Sequence, residues 1–308
     1  MHASSPTEWI AQFLRTDPPR SKSLVMTMFG DSIAPHGGSA WLGSLIELLA
    51  PFGVNDRLLR TSVFRLVQEG WLMASRDGRR SSYAILTQAR PRFERANRRI
   101  YAPLERGWDG SWTMLLGGTG AVDAPERTAL RKELLWEGFA QVAPGLYAYP
   151  GAPLAQLDEL LARLDLREKV FVWHASALPA LAARPLGELA AEAWDLSEVS
   201  LRYSQFLAQF APLSALLEQG AALGAQEAFM VRSLLIHAYR RVQLHDPMLP
   251  VQLLPAQWPG AQAYALARAL YRRTQAAAEQ FVLEVLRRED TAAPPAEAEF
   301  YERFGGLD

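Results

Sequence analysis

The chain predicts an α+β protein: a helical head closed by a β-hairpin, a middle in which strands and helices alternate, and a long helical tail. Three observations carry that reading. Two amphipathic helical segments meet across a Pro/Gly turn near Pro51–Gly53, and an Asp77-Gly78 turn follows between two strand-like runs. From residue 107 the apolar pattern runs strand-helix-strand-strand-helix-strand, and beyond about Leu186 long stripes of helical period take over.

In the head, Lys22 to Ile33 reads as a helix ended by Pro35, Gly37 and Gly38. Trp41 to Gly53 reads as a second, with Trp41, Leu45, Leu48, Leu49 and Phe52 at helical spacing. The third, Asn55 to Gly70, has a capping residue at its start and a glycine at its end. Its Leu59, Val63, Leu66 and Val67 form one apolar stripe. At about 100° per residue, Arg57, Thr61, Arg65 and Gln68 fall on the opposite face, with Arg60 on the flank. Alone, this pattern better describes a solvated surface helix; its neighbours reverse that reading.

The runs Trp71–Arg76 and Arg79–Leu86 can pair across the Asp-Gly turn, which puts Arg76, Arg79 and Arg80 at the tip. Helices followed by a hairpin with a cationic tip describe a winged helix-turn-helix, in which one helix enters a DNA groove and the wing touches phosphates or the minor groove. The expected groove contacts are Arg57, Thr61 and Arg65. The expected phosphate or minor-groove contacts are Arg60, Arg76, Arg79 and Arg80. Residues 20–89 are expected to form this winged-helix domain, and 90–106, rich in arginine, reads as a basic linker helix near the DNA backbone or as a solvated connector.

Within 107–180, Trp112–Gly117 reads as a buried strand, Pro125–Gly138 as a helix, Phe139–Tyr149 as two strands around Pro144-Gly145, Leu154–Leu164 as a helix and Lys169–His174 as a strand. The order βαββαβ is that of a ferredoxin-like sandwich, expected to serve dimerisation or scaffolding. In 186–290, Leu196–Leu217, Ala225–Gln243 and Gln262–Arg288 are long amphipathic segments, separated near His245–Gly260 by a loop with four prolines and many apolar residues. This C-terminal helical domain is expected to bind an effector or to dimerise. Its aromatics can line a pocket and its arginines can meet anions, although core and surface positions are the commoner reading of any one of them. The candidate effector contacts are Arg202, Tyr203, Tyr239, Arg240, Arg241, His245 and Trp258.

Charge is unevenly placed. Residues 20–106 hold 14 Lys+Arg against 7 Asp+Glu, whereas residues 107–308 hold 17 against 24, so a net charge of −1 conceals a basic head on an acidic body. With no cysteine there is no disulfide, thiol nucleophile or thiolate metal site. No apolar run of about 20 residues is present to span a membrane, and the first residues lack a basic-then-apolar leader pattern. A cytoplasmic protein is expected.

Catalytic and cofactor chemistry finds little purchase. His237 and His245, with Asp246, lack a third clustered ligand or an HExxH spacing, so structural histidines are the expectation and no metal is predicted. Gly117-Gly118-Thr119-Gly120 lacks the Gly-Lys-Ser/Thr ending of a phosphate loop. Ser32 and His36 have no acidic neighbour but Asp31. No enzyme activity and no cofactor are expected.

The stretch Lys22–Gly38 resembles the opening signature of PaaX-type repressors, the transcriptional regulators of phenylacetic acid degradation. The resemblance continues through Trp41–Gly53, Asn55–Trp71 and Gly78–Tyr83, resumes at Arg98–Tyr101 and Trp108–Trp112, and returns weakly from His245-Asp246-Pro247 to Pro250. Ala89 stands where the resemblance leads one to expect glycine. The resemblance implies a three-part, dimeric winged-helix repressor of catabolic genes that binds double-stranded operator DNA and is released by phenylacetyl-coenzyme A. It also implies a Cas2-like fold for the middle. Carboxylates that would bind Mg²⁺ for nuclease chemistry are missing where the first strand of that part ends, Asp123 lying some way beyond, so no nuclease activity is expected. Two other readings remain open: an acyl-coenzyme A hydrolase or other enzyme using the C-terminal half, and an architectural nucleic-acid binder without an effector.

Overall fold

The computed structural model describes residues 3–103, 107–118, 120–151, 154–178, 181 and 184–307. In chain order the head contains α1 (Pro6–Thr16), α2 (Ser21–Met28), β1 (Ser39–Trp41), α3 (Leu42–Leu49), α4 (Asp56–Gln68), β2 (Leu72–Asp77), β3 (Arg80–Ile85) and α5 (Arg90–Tyr101). The middle contains β4 (Ser111–Leu116), α6 (Ala124–Trp136), β5 (Ala140–Ala143), β6 (Leu146–Pro150), α7 (Leu154–Arg163) and β7 (Phe171–Ser176). Helices α8 (Leu186–Ala193), α9 (Leu196–Glu218), α10 (Ala225–Gln243) and α11 (Gly260–Glu289) follow.

These elements gather into two compact units. One comprises Met1–Pro103, Tyr203–Gln243 and Gly260–Asp308; the other comprises Leu104–Arg202 and Leu244–Pro259. Contacts therefore divide the tail differently from the sequence expectation of a separate 186–290 part. The reason lies in α10, whose residues from Ala228 to His237 are all buried. A helix apolar on nearly every side must be packed on nearly every side, and the helices of the head supply part of that cover.

In the first unit, α2 does not run straight to Ile33 as its spacing predicts. It widens into a π turn at Phe29–Ile33 and tightens into a 3-10 turn at Ala34–His36, ending at left-handed Gly37. Two strands are expected in the head, and the structure adds a third: Ser39–Trp41 pairs antiparallel with β3, giving the order β1-β3-β2. Trp41 thus ends a strand rather than opening a helix. The Asn55 side chain caps α4 by accepting from the Leu58 N–H at 2.9 Å. The turn between β2 and β3 places Gly78 at positive φ, a conformation glycine adopts without strain. Ala89 ends a 3-10 turn with φ −89° and is buried, so no glycine is needed there. Helix α1, which sequence periodicity passed over, is capped by Ser5 and buries Trp9, Ile10 and Phe13. Trp9 and Phe13 pack on Phe210 of α9.

In the second unit, four antiparallel strands lie in the order β5-β6-β4-β7. Numbered within this sheet the order is 2-3-1-4, that of a ferredoxin-like βαββαβ fold. One core joins Leu115, Tyr147 and Tyr149 of the sheet to Leu130 and Leu134 of α6 and Leu157, Leu160 and Leu161 of α7. A second joins Trp112, Ala140 and Ala148 to Ala190, Trp194, Leu249 and Leu253. The proline-rich segment after His245 is therefore an ordered cover for this sheet. Gly117 N–H donates to the Gly145 carbonyl at 2.8 Å. A Cβ on Gly145 would lie 2.6 Å from Gly118 Cα. The glycines let two backbone segments touch, which accounts for Gly117-Gly118 without a phosphate; Thr119 lies outside the described residues.

Candidate nucleic-acid interface and the charge cluster behind it

Helix α4 is held by its apolar side. Leu59, Val63 and Leu66 are buried, and Ser62 Oγ lies 2.9 Å from Ser21 Oγ of α2. Arg57, Arg60, Thr61, Arg65 and Gln68 are all exposed, as the helical spacing predicts. Arg60 pairs with Asp56 one turn back at 3.1 Å, while among the described residues neither Arg57 nor Arg65 has an ion-pair partner. Thr61 Oγ1 donates to the Arg57 carbonyl at 2.9 Å, so its lone pairs face outward. The face also carries Phe64, 61% exposed, and Leu58, two apolar side chains outside the buried stripe.

At the hairpin tip Arg76 and Arg79 are exposed. Arg80 differs: its guanidinium donates to the carbonyl and the carboxylate of Glu289 and lies over the Trp41 ring, 4.1 Å from its centroid. The adjacent Arg288 pairs with Glu47 of α3. The end of α11 is thus tied both to the hairpin and to the helix before α4. On α5, Phe93, Ile100 and Tyr101 face inward, and Arg92 lies over the Trp71 ring. Arg90 and Arg98 are exposed, whereas Glu105 and Arg106 of the expected linker lie outside the described residues.

Behind the head lies a buried polar cluster that no sequence spacing could reveal, because its members come from five distant segments. Asp31 Oδ1 accepts from Tyr101 Oη at 2.6 Å, Tyr271 Oη at 2.9 Å and Arg303 Nη1 at 3.1 Å. Arg232 Nε stands 3.1 Å from Asp31 Oδ2, and Arg232 Nη1 donates to Glu279 Oε1 at 2.5 Å. Glu279 Oε2 hydrogen-bonds His36 Nε2 at 3.0 Å, and His36 Nδ1 meets the Pro294 carbonyl at 2.8 Å. Burial opposes ionisation of Glu279, but Arg232 and the His36 hydrogen bond outweigh it and hold the carboxyl at about 2. Burial raises the Tyr101 and Tyr271 phenols, so both remain donors. His36 is a structural member of this cluster rather than a nucleophile's partner.

The candidate effector residues fall in both units. In the first, Tyr203 and Tyr239 are fully buried and their hydroxyls accept from Gln243 Nε2 at 3.0 and 2.5 Å. Arg240 donates to Thr27 Oγ1 at 3.0 Å, and His237 Nδ1 lies 3.1 Å from the same oxygen. Burial, and then the charges of Arg240 and Arg241, push the His237 pKa down to about 3. His237 is a neutral residue seating α10 on α2. Arg241 reaches Asp17 at 3.6 Å. In the second unit, Arg202 pairs with Glu198, His245 is exposed, and Trp258 packs against the sheet core. Among the described residues no three His, Asp or Glu side chains gather as a metal site, and no helix is long and apolar enough to cross a membrane.

A cation-faced helix thus stands beside a cationic hairpin, in a chain with a ferredoxin-like middle. Family models match in three pieces: "PaaX-like protein" over residues 20–89, "PaaX protein central Cas2-like domain" over 105–185 and "PaaX-like protein C-terminal domain" over 194–284. The chain belongs to the PaaX family. It is 38% identical to the transcriptional repressor PaaX of Escherichia coli (strain K12) over 94% of this chain and 92% of that one. It is also similar to a solved structure, an uncharacterized protein (Rv0674) from Mycobacterium tuberculosis, with 28% identity and a TM-score of 0.53 over 83% of this chain and 98% of that one.

Proposed function

We propose that the chain is a dimeric transcriptional repressor of phenylacetate (aromatic acid) catabolic genes that leaves its operator when phenylacetyl-coenzyme A binds. The observation that carries the DNA-binding part is the face of α4: a packed back, with Arg57, Thr61 and Arg65 outward, in a chain 38% identical over nearly its whole length to a transcriptional repressor. We read α2–α4 with the β2–β3 hairpin as a winged helix whose α4 enters the major groove, with Arg60, Arg76 and Arg79 meeting phosphates. Arg80 joins them only when Glu289 lets go. No enzymatic step is assigned, because His237 is buried and seats one helix on another.

The dimer is proposed on β7. This strand lies at one edge of its sheet with Phe171, Val172 and Trp173 exposed. Sheet edges in monomers are ordinarily blunted by charge or cover. A second copy paired along this edge would satisfy its main chain, and a two-fold axis predicts a palindromic operator. For the effector, Arg202, His245 and Trp258 remain candidates in the second unit and Arg241 in the first, while Tyr203, Tyr239 and Arg240 are engaged in the interior packing of the first unit.

The test is binding of the full chain, at fixed salt, to the promoter region of a neighbouring phenylacetate catabolic operon. Specific binding that is lost on adding phenylacetyl-coenzyme A, but not free phenylacetate, is the expected result. Specific binding that ignores the thioester would overturn the effector assignment, and binding indifferent to sequence would overturn the repressor. Release requires the thioester to favour the DNA-incompetent state, typically by about 5–150-fold.

A further inference from the structure

We propose that Phe64 is a base-reading residue of α4 that packs on the 5-methyl group of a thymine in the major groove. The inference rests on the DNA-binding reading of α4 and adds the kind of base that it selects.

A lone exposed apolar side chain is ordinary; the surroundings make this one informative. Phe64 is 61% exposed, the most exposed large apolar side chain among the described residues of the head. At about 100° per residue it lies roughly 140–160° around the helix from buried Leu59 and Leu66, near the middle of the outward face. Arg60 is one turn before it on one side; Thr61, Gln68 and, two turns back, Arg57 stand on the other. All four are exposed. Thr61 Oγ1 is occupied as a donor within its own helix, which leaves the centre of the face to the phenyl ring.

The chemistry of the ligand selects among its parts. Arginines flanking the ring match phosphates and guanine edges by charge and hydrogen bonding. A phosphate backbone offers a phenyl ring nothing apolar. Of the four base pairs' major-groove edges, only those containing thymine present an apolar group, the C5 methyl, and contact with a phenylalanine ring is one of the ways it is read. The minor-groove alternative, a wedge between base steps, would not depend on that methyl.

The experiment uses full-length protein and an operator obtained by selection from randomised duplex DNA. Each thymine of the selected sequence is replaced in turn by deoxyuridine, which removes the methyl and keeps the pairing. Wild type, Phe64→Ala and Phe64→Leu are compared. In the wild type, one thymine per half-site should lose about three- to five-fold in affinity on replacement, the size of one buried methyl. Phe64→Ala should bind the two duplexes alike, while Phe64→Leu should keep part of the difference. Because the side chain is exposed, all three should unfold at the same denaturant concentration, which shows that the variants are folded. A flat deoxyuridine scan, or the same sensitivity in Phe64→Ala as in wild type, overturns the proposal and leaves the DNA-binding reading standing. A selection that enriches no sequence overturns both.

Discussion

Arg80 and Glu289, more than 200 positions apart, are joined twice: one guanidinium nitrogen donates to the Glu289 carbonyl at 2.6 Å and to its carboxylate at 2.5 Å. Trp41 closes the other side of the guanidinium. The sequence places Arg80 at a hairpin tip with Arg76 and Arg79; the fold gives it to the last residue of α11. Both partners are partly exposed, so the pair itself adds little stability, about 0–1 kcal/mol. Its consequence is positional, because it sets the hairpin relative to α11 within one compact unit.

Glu289→Gln should therefore strengthen binding to random duplex DNA and steepen its salt dependence by about one phosphate contact, a change of roughly 0.9 in the log-log slope. Arg80→Ala should abolish that gain in the double variant. Titrations at several salt concentrations check it, and an equal gain with and without Arg80 would mean that Glu289 acts only through its charge.

Arg65→Ala should weaken operator binding by about 1–3 kcal/mol if Arg65 reads a guanine, and random DNA much less. Competition between operator and random duplexes measures the ratio. Equal losses on both would reassign Arg65 to a phosphate.

Arg232→Met should destabilise the first unit by about 3–5 kcal/mol, since it leaves Asp31 and Glu279 buried without their shared cation. Denaturant unfolding followed by tryptophan fluorescence tests this. A loss below about 1 kcal/mol would show that Arg303 and His36 suffice for the two carboxylates.

Acid should unfold the protein in two ranges. His237 has its folded pKa depressed to about 3 from 6.5, so the unfolded chain takes up the proton first. Stability attached to this group is complete above about pH 6.5 and falls as pH drops toward 3. Glu279, held at about 2 against an ordinary 4.5, contributes stability that is present above pH 4.5 and is lost between 4.5 and 2. Unfolding midpoints measured from pH 7.5 to 4.5 should decline in the wild type and decline less steeply in His237→Gln. Identical slopes would remove His237 as the cause.

Val172→Lys or Trp173→Lys on β7 should convert the proposed dimer to a monomer in sedimentation while leaving the helical circular dichroism unchanged. Palindromic operator binding should weaken with it, since each monomer then holds one half-site. A dimer that survives both lysines would place the interface elsewhere.

How much of this was legible in one dimension follows from the range of each interaction. Asn55, the Leu59–Leu66 stripe, the Asp77-Gly78 turn and the βαββαβ order are local patterns of period, cap and turn, so α4, the hairpin and the ferredoxin-like middle could be read before any contact was known. The cations outward on α4 follow from the same period, and so does Phe64 once the exposed face is read as closely as the buried one. Only the tertiary structure decided that Asp31 meets Arg232, Tyr271 and Arg303, that Arg80 belongs to Glu289, and that α10 and α11 pack with the head instead of standing apart. Those pairings join residues hundreds of positions apart; in the Asp31 cluster their identity depends on which buried charge most needs a partner in a medium that solvates it poorly, and for the partly exposed Arg80–Glu289 pair on where the chain brings the two together. Periodicity carries no information about that need.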